Sequence, residues 1–387
     1  MPGTILFVGN DADRAGAAVA LLHLLTWLRT ERWEEPRVLL LGGGDLLADY
    51  ERLAPTYRLE AGAGFARRAL RRLRVMSRAP RVPAALRRER IDLVYLNTVA
   101  VARLARQLKA TWRAPVLLHV RELEMSIRAN CGSQHLRAAL EHVDGCVASI
   151  RPVVRLLIER YGVAAETIHQ ISPGLALPAR GTAWSPEARR ALRAEVGIPA
   201  DAFVVGGCGT LNWWKAPELF VLAAHRFRRL RPEASVHFLW VGGRVGSAEH
   251  DRLWHDVDRL GLSGTVHFVG AQAEPHRYFA LFDAFLLTSR EDTLPFVCVE
   301  AAALGLPIIC FEDSGGAPGI VEGDAGFVVP YLDLDAAGDR LAALMDDPAL
   351  RRRLGDQAAT KARARYGLEH LGRGLGPVLD RYIRGSA

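Results

Sequence analysis

Lysine is nearly missing from this 387-residue chain: only Lys109, Lys215 and Lys361 stand among its 50 basic residues. The other cations are arginines, a bias expected of a GC-rich genome, so a lysine inside a candidate site stands out. Cysteine is scarce as well. Cys131, Cys146, Cys208, Cys298 and Cys310 form no close pair, which argues against zinc sites, thioredoxin-like motifs and a disulfide framework. Each reads as a small buried hydrophobe. No apolar run suits a membrane span, which needs about 20 apolar residues; the longest, residues 15–28, is shorter and carries His23 and Thr26. The opening MPGTILFVGN has no basic region before its apolar run and no signal-peptide cleavage pattern. It reads as a first strand, and a cytoplasmic chain is expected.

Half of the residues are hydrophobic and 24% are charged, the balance of an ordinary globular protein. The length argues for two domains, at roughly 150 residues each. The net charge of +7 is unevenly placed. Residues 1–190 carry 29 basic and 18 acidic side chains, against 21 and 25 in the remainder. Such asymmetry suggests that the first half meets an anionic surface.

TILFVG (residues 4–9) is a short apolar run ending in glycine, the form of a buried parallel strand. A polar loop follows, then a helical stretch from about Ala17 to Arg29. The order recurs in PRVLLLGGG, IDLVYLNT, APVLLHVRE and DGCVASI, with helical stretches between. Near residue 171 the character changes. ISPGLALPARGTAWSPEARR is rich in Pro, Gly, Ser and Ala and reads as a linker. FVVGGCGT then restarts the alternation, which continues through VHFLWVGG, TVHFVG, DAFLLTS, LPIICF and GFVVP. Alternating strands and helices imply parallel sheets covered on both faces. The expected fold class is α/β, with two Rossmann-like parallel-sheet domains facing across a cleft. The expected domains are residues 1–180 and 190–365, with the tail helix of about 366–387 (Leu368 to Ile383 at its centre) returning to the first. Ligands of open α/β sheets bind at the carboxyl ends of the strands, so the loops there are the places to search.

The most informative stretch is LLTSREDTLPFVCVEAAALGLPIICF (286–311). A strand ends near Ser289, and a polar loop runs from Arg290 to Thr293. Pro295 sits where helices often begin, Leu294, Phe296 and Val297 flank it, and Gly305 ends the helix. A loop feeding a helix N-terminus presents free N–H groups and a positive dipole end, which suits a diphosphate. Asp292 in the loop can hold sugar hydroxyls, and Glu300 in the second turn can accept two hydrogen bonds from a ribose.

This stretch resembles the signature of the family 4 retaining glycosyltransferases, which have the GT-B fold. Ser289, Asp292 and Glu300 occupy its positions, although the first acid is usually Glu, so Glu291 could take that role by a shift of one. CGTLNWWKAP (208–217) resembles the segment whose Arg and Lys grip the donor diphosphate. Lys215 matches the Lys, and Thr210 stands where the Arg is usual. DSGGAPGIVEGDAGFVVP (313–330) resembles the Gly-Gly segment near the donor sugar, with Gly315 and Gly316 in place and Gly319 replacing a common Glu. The backbone after Gly270 corresponds to the part that contacts the nucleobase. In the first half, NDADRAGAAVALL resembles the glycine-rich loop, placing Gly16 and Ala17 near donor phosphates or acceptor. LHVRELE places Arg121 and Glu122 near the reacting centre, with His119 in the strand packing. LNTV (96–99) is a further loop candidate. SPGLAL (172–177) stands at the family's usual hinge.

The resemblance implies a glycosyltransferase that moves a sugar from a nucleoside diphosphate sugar, UDP- or GDP-linked, to a hydroxyl of a glycan, lipid-linked or natural-product acceptor. Asp292, Glu300, Lys215, Arg121 and Glu122 would be its catalytic groups. No metal cluster is visible, so metal-independent catalysis without a cofactor is expected. The competing readings are a GT-B epimerase or inverting transferase, and a non-catalytic or degenerate nucleotide-sugar binder, which Thr210 and Gly319 favour.

One further stretch stands out. FARRALRRLRVMSRAPRVPAALRRER (65–90) holds ten arginines and no acid before Glu89. A basic amphipathic helix can lie on an anionic membrane surface, so peripheral contact from Arg67 to Arg90, at the inner face of the membrane, is weighed against a solvated helix. Nucleic acid is not expected, because no aromatic stacking platform accompanies the charge.

Overall fold

The computed structural model describes residues 3–14, 16–31, 35–59, 81–179 and 185–385. The chain divides into two compact units, Met1–Leu175 with Leu368–Ala387, and Ala176–Gly367.

In the first unit, the strands are β1 (Thr4–Gly9), β2 (Glu35–Leu40), β3 (Thr56–Arg58), β4 (Leu93–Leu96), β5 (Val116–Val120), β6 (Gly145–Ala148) and β7 (Ile168–Gln170). They form a parallel sheet in the order β3-β2-β1-β4-β5-β6-β7. Its central strands are apolar on both faces, with Ile5, Leu6, Phe7 and Val8 fully buried, because helices cover both sides of such a sheet. The helix Gly16–Glu31 lays Leu21, Leu24, Leu25 and Leu28 onto the face that carries Ile5, Phe7, Val38 and Leu40. The terminal helix Leu368–Arg384 adds Leu371, Leu375 and Leu379 to the same core.

In the second unit, β8 (Phe203–Cys208), β9 (Val236–Val241), β10 (Val266–Phe268), β11 (Ala284–Leu287), β12 (Ile308–Phe311) and β13 (Gly326–Val329) pair in the order β10-β9-β8-β11-β12-β13, all parallel. Phe220, Phe227, Phe238 and Trp240 build the aromatic centre of its core, with Phe220 edge-on to Phe238 and Trp240 at ring-centroid distances of 5.4 and 5.3 Å.

The strands read from the apolar runs are present, with two short additions. β3 and β7 are three residues each and only partly buried, so they carry no strong apolar pattern. The stretch read as linker is corrected at its end. Residues 180–184 lie outside the described residues, but Pro186–Val196 is a helix. Ser185 caps it by accepting from the Ala188 N–H, and Pro186 occupies the first turn. A Ser-Pro-Glu start is a helix signal that the surrounding Gly, Ala and Pro content hides. Most of the arginine-rich stretch, residues 65–80, also lies outside the described residues. Among the described residues no helix is long and apolar enough to cross a membrane.

Candidate functional site

Each sheet reverses its strand order once near its centre, between β1 and β4 in the first unit and between β8 and β11 in the second. At such a switch point neighbouring loops leave in opposite directions and open a crevice at the carboxyl edge. Many of the residues singled out by sequence lie in the loops at these two places.

In the second unit, the loop after β8 carries Thr210 and Lys215, and the loop after β11 carries Asp292. Lys215 Nζ donates directly to the Asp292 carboxylate across the switch point. Burial acts to lower the Lys215 pKa. The charge of Asp292 and its hydrogen bond outweigh that effect and raise the pKa above the ordinary value. The lysine is therefore a fixed cation. The loops are also tied through their backbones. Arg290 N–H donates to the Trp214 carbonyl at 2.8 Å, and Thr288 Oγ1 to the Lys215 carbonyl at 3.1 Å. The Lys215 N–H is held by Asn212 Oδ1 at 3.0 Å. One step outward, Arg290 lies over the exposed Trp213 ring, 5.3 Å from its centroid, and pairs with Glu218.

A third loop joins from β12. Asp292 N–H donates to the Ser314 carbonyl at 2.8 Å, and Gly316 N–H returns to the Asp292 carbonyl at 3.1 Å. Asp292 and Gly315 thus form a short parallel bridge. Gly315 has φ of +125°, a conformation side chains rarely adopt. After Asp292 the chain buries Leu294 and Pro295 and enters the helix Phe296–Ala303, with Phe296 and Val297 half-buried. No side chain caps this helix, so its first N–H groups and dipole end can receive an anion. Glu300 projects from the second turn, with Oε2 3.3 Å from His276 Nε2.

Not every predicted residue joins this cluster. Thr210 is exposed, and its hydroxyl accepts from Asn212 Nδ2 at 2.7 Å. Gly270 follows β10 and bridges to Gly242. At φ +71°, a Cβ on Gly270 would meet Val245 Cγ2 at 2.7 Å. Gly319 is exposed in the short helix Ala317–Val321 with nothing near its Cβ position. Ser289 is fully buried, and its hydroxyl has no hydrogen-bond partner among the described residues.

In the first unit, Gly9, Asp11, Ala17, Asn97, Thr98 and Glu122 line a cavity of about 230 Å³ beside the switch point. Gly16, at the start of the first helix, is exposed with open space at its Cβ position. The Arg121 guanidinium donates to the Asn97 carbonyl at 3.0 Å and to Asn97 Oδ1 at 3.1 Å. Asn97 Nδ2 donates in turn to the Ala17 carbonyl at 2.8 Å. Glu122 is buried and accepts from the Thr98 hydroxyl and from the Arg121 N–H at 2.8 Å. Burial pushes its carboxyl up, against the opposing pull of those hydrogen bonds and of the Arg121 charge. Arg121 and Glu122 are thus neighbours held by separate partners. His119 lies beneath them in β5, between the Tyr95 hydroxyl at 2.6 Å and Ser149 Oγ at 3.1 Å. Burial, then the Arg121 charge, keep it neutral.

Sequence reasoning overlooked His276, Asn212 and Arg290. His276 sits six residues beyond Gly270 with no motif around it, and only its approach to Glu300 reveals it. Among the described residues no group of three or more His, Cys, Asp or Glu side chains could hold a metal ion.

Comparison with known proteins follows the same division. The family described as Glycosyl transferase 4-like domain matches residues 15–174, and that described as Glycosyl transferases group 1 matches residues 188–361. A D-inositol 3-phosphate glycosyltransferase of Nocardia farcinica is 30% identical over 241 residues, 61% of this chain and 52% of the relative. One from Corynebacterium glutamicum is 26% identical over 300 residues, 72% and 70% of the two chains. The chain spans about half the length of most curated relatives it matches. Among solved structures, Anabaena HepE in complex with UDP and glucose superposes with a TM-score of 0.80 at 20% identity, covering 97% of this chain and 99% of that one. Sucrose-phosphate synthase of Thermosynechococcus elongatus gives 0.77 at 18%, with full coverage of both. At those identities the likeness speaks to the fold, two parallel-sheet α/β domains of GT-B type.

Proposed function

The chain belongs to the group 1 glycosyltransferases, and from that premise we propose that it moves a sugar from a nucleoside diphosphate sugar, UDP- or GDP-linked, to a hydroxyl of a glycan, lipid-linked or natural-product acceptor, with retention at the anomeric carbon. The observation that carries this reading is the Lys215–Asp292 pair at the second switch point, with an uncapped helix start just beyond it.

As the bond between the anomeric carbon and the phosphate oxygen breaks, negative charge grows on the diphosphate. Lys215 and the N–H groups near Phe296 and Val297 stabilise it, and fixed donors of this kind are the largest single source of rate enhancement in many enzymes. Asp292 keeps Lys215 in place and orients the donor sugar. Gly315 and Gly316 let the backbone approach that sugar, and Glu300 receives the ribose hydroxyls. The acceptor oxygen bonds to the anomeric carbon on the face the phosphate leaves. Its proton passes to the departing phosphate oxygen, so no protein nucleophile is required. Arg121 and Glu122 are assigned to the reacting centre, and Gly16 and Ala17 to the donor phosphates or the acceptor. No metal and no cofactor enter this scheme. The reading places the protein in the cytoplasm, with residues 67–90 meeting the inner face of the membrane.

Release of nucleoside diphosphate from a panel of sugar nucleotides tests the proposal. Glu300→Ala, with the fold retained, is expected to lose turnover. Unchanged turnover in that variant contradicts the assignment.

A further inference from the structure

The Glu300 carboxylate accepts no hydrogen bond from a described residue. The basic group within ion-pair range is the imidazole of His276, with Nε2 3.3 Å from Oε2. That nitrogen is itself buried and has no hydrogen-bond partner among the described residues. The His276 ring rests edge-on against Phe279, with centroids 5.8 Å apart. The histidine comes from the short helix His276–Phe279 between β10 and β11, and the glutamate from the helix after β11. Two separate segments thus bring one unsatisfied donor to one unsatisfied carboxylate.

The chemistry of the pair is selective. A carboxylate that takes two vicinal hydroxyls must keep lone pairs free and stay in one rotamer. An arginine fork at this place would occupy both oxygens. A ring nitrogen offers a single N–H and occupies one, leaving the others open. Its proton position is set by the partner: a neutral ring facing a carboxylate through Nε2 carries the hydrogen there.

We propose that His276 is a positioning residue, holding one oxygen of Glu300 through its Nε2–H so that the carboxylate meets the donor's ribose hydroxyls in a fixed orientation. The inference rests on the assignment of Glu300 to the ribose made above. It places discrimination between ribose and deoxyribose partly on a residue that does not touch the nucleotide.

The test is calorimetric binding of UDP, GDP and ADP, each against its 2′-deoxy counterpart, to the full chain and to His276→Ala and His276→Gln. The wild type is expected to prefer the ribose form of one base. His276→Ala should cut that preference by roughly tenfold, as expected for loss of a hydrogen bond to a charged group, and leave deoxynucleotide affinity nearly unchanged. His276→Gln, which returns an N–H to a similar place, should restore most of the preference. His276→Leu, similar in bulk and without a donor, gives a second test should alanine disturb the fold. An unchanged ribose preference, or an equal loss for both sugars, overturns the positioning role while the donor-site reading stands. A wild type that binds ribose and deoxyribose forms equally overturns the ribose assignment, and one that binds no diphosphate overturns both.

Discussion

Lys215 and Asp292, 77 residues apart in sequence, are joined by a direct ion pair at the point where the second sheet reverses its strand order. The pair makes each residue the other's partner. On the proposed donor-site reading, a diphosphate at Lys215 would share that cation with Asp292, and a sugar hydroxyl at Asp292 would bind beside a retained positive charge.

Lys215→Met tests what the pair contributes. It removes the fixed cation, and turnover is expected to fall about 10²- to 10³-fold, as when one transition-state donor is deleted. It also strands a half-buried carboxylate, which costs about 1–3 kcal/mol of stability. A denaturant titration alongside the rate assay separates the two effects. A variant with normal turnover would remove Lys215 from the mechanism.

Asn97 performs a comparable service in the first unit, accepting from the Arg121 guanidinium and donating to the Ala17 carbonyl. Asn97→Ala removes the side-chain bonds to the Arg121 guanidinium and to the Ala17 carbonyl while the backbone carbonyl at 97 still holds Arg121, and urea unfolding should report a loss of about 1.5–3 kcal/mol, as for a hydrogen bond to a charged group. Asn97→Asp keeps the acceptor for Arg121 and should fall between wild type and alanine.

The helix that carries Glu300 is seated by a close backbone approach. A Cβ on Gly355 would stand 2.0 Å from the Gly305 carbonyl oxygen, and Gly305 ends that helix. Gly355→Ala must push the long helix Pro348–Tyr366 away from it. A destabilisation of about 1–3 kcal/mol is expected from such overpacking, measurable as a lower melting temperature. An unchanged melting temperature would show that the contact yields without strain.

His267 stacks on His237 with ring nitrogens 2.9 Å apart. Burial first, and then its neighbour, push the His267 pKa down to about 4. The folded value lies below the unfolded one of about 6.5. Between these values the unfolded chain binds the extra proton, so stability falls as pH drops from about 6.5 towards 4. His267→Gln should flatten that part of the stability curve. A curve of the same slope in the variant would locate the pH dependence elsewhere.

Much of this was legible in the residues. Buried parallel strands are short apolar runs bounded by turn residues: TILFVG ends in Gly9, FVVGGC runs into Gly209, and LPIICF is followed by the polar Glu312, Asp313 and Ser314. Lys215 stands out because lysine is rare in the chain, Asp292 because it lies in the loop before a Pro-started helix, and Glu300 because it lies in that helix's second turn. What the pattern did not reveal depends on packing between distant segments. The Lys215–Asp292 bond, the zipping of Asp292 to Gly315 and the approach of His276 to Glu300 each join separate loops, and no spacing encodes them. The helix Pro186–Val196 was hidden for the opposite reason: its Ser-Pro-Glu start lies in a stretch whose composition reads as linker.

A donor site at Lys215 is tested by thermal unfolding of the full chain with UDP, GDP, ADP, dTDP and CMP and their common sugar conjugates, repeated with Lys215→Met. A ligand that binds only the folded state raises the melting temperature by mass action. A clear rise is expected with one nucleoside diphosphate and its sugar, strongly reduced in Lys215→Met. No rise with any of them, or an equal rise in the variant, would contradict a donor site built on the Lys215–Asp292 pair.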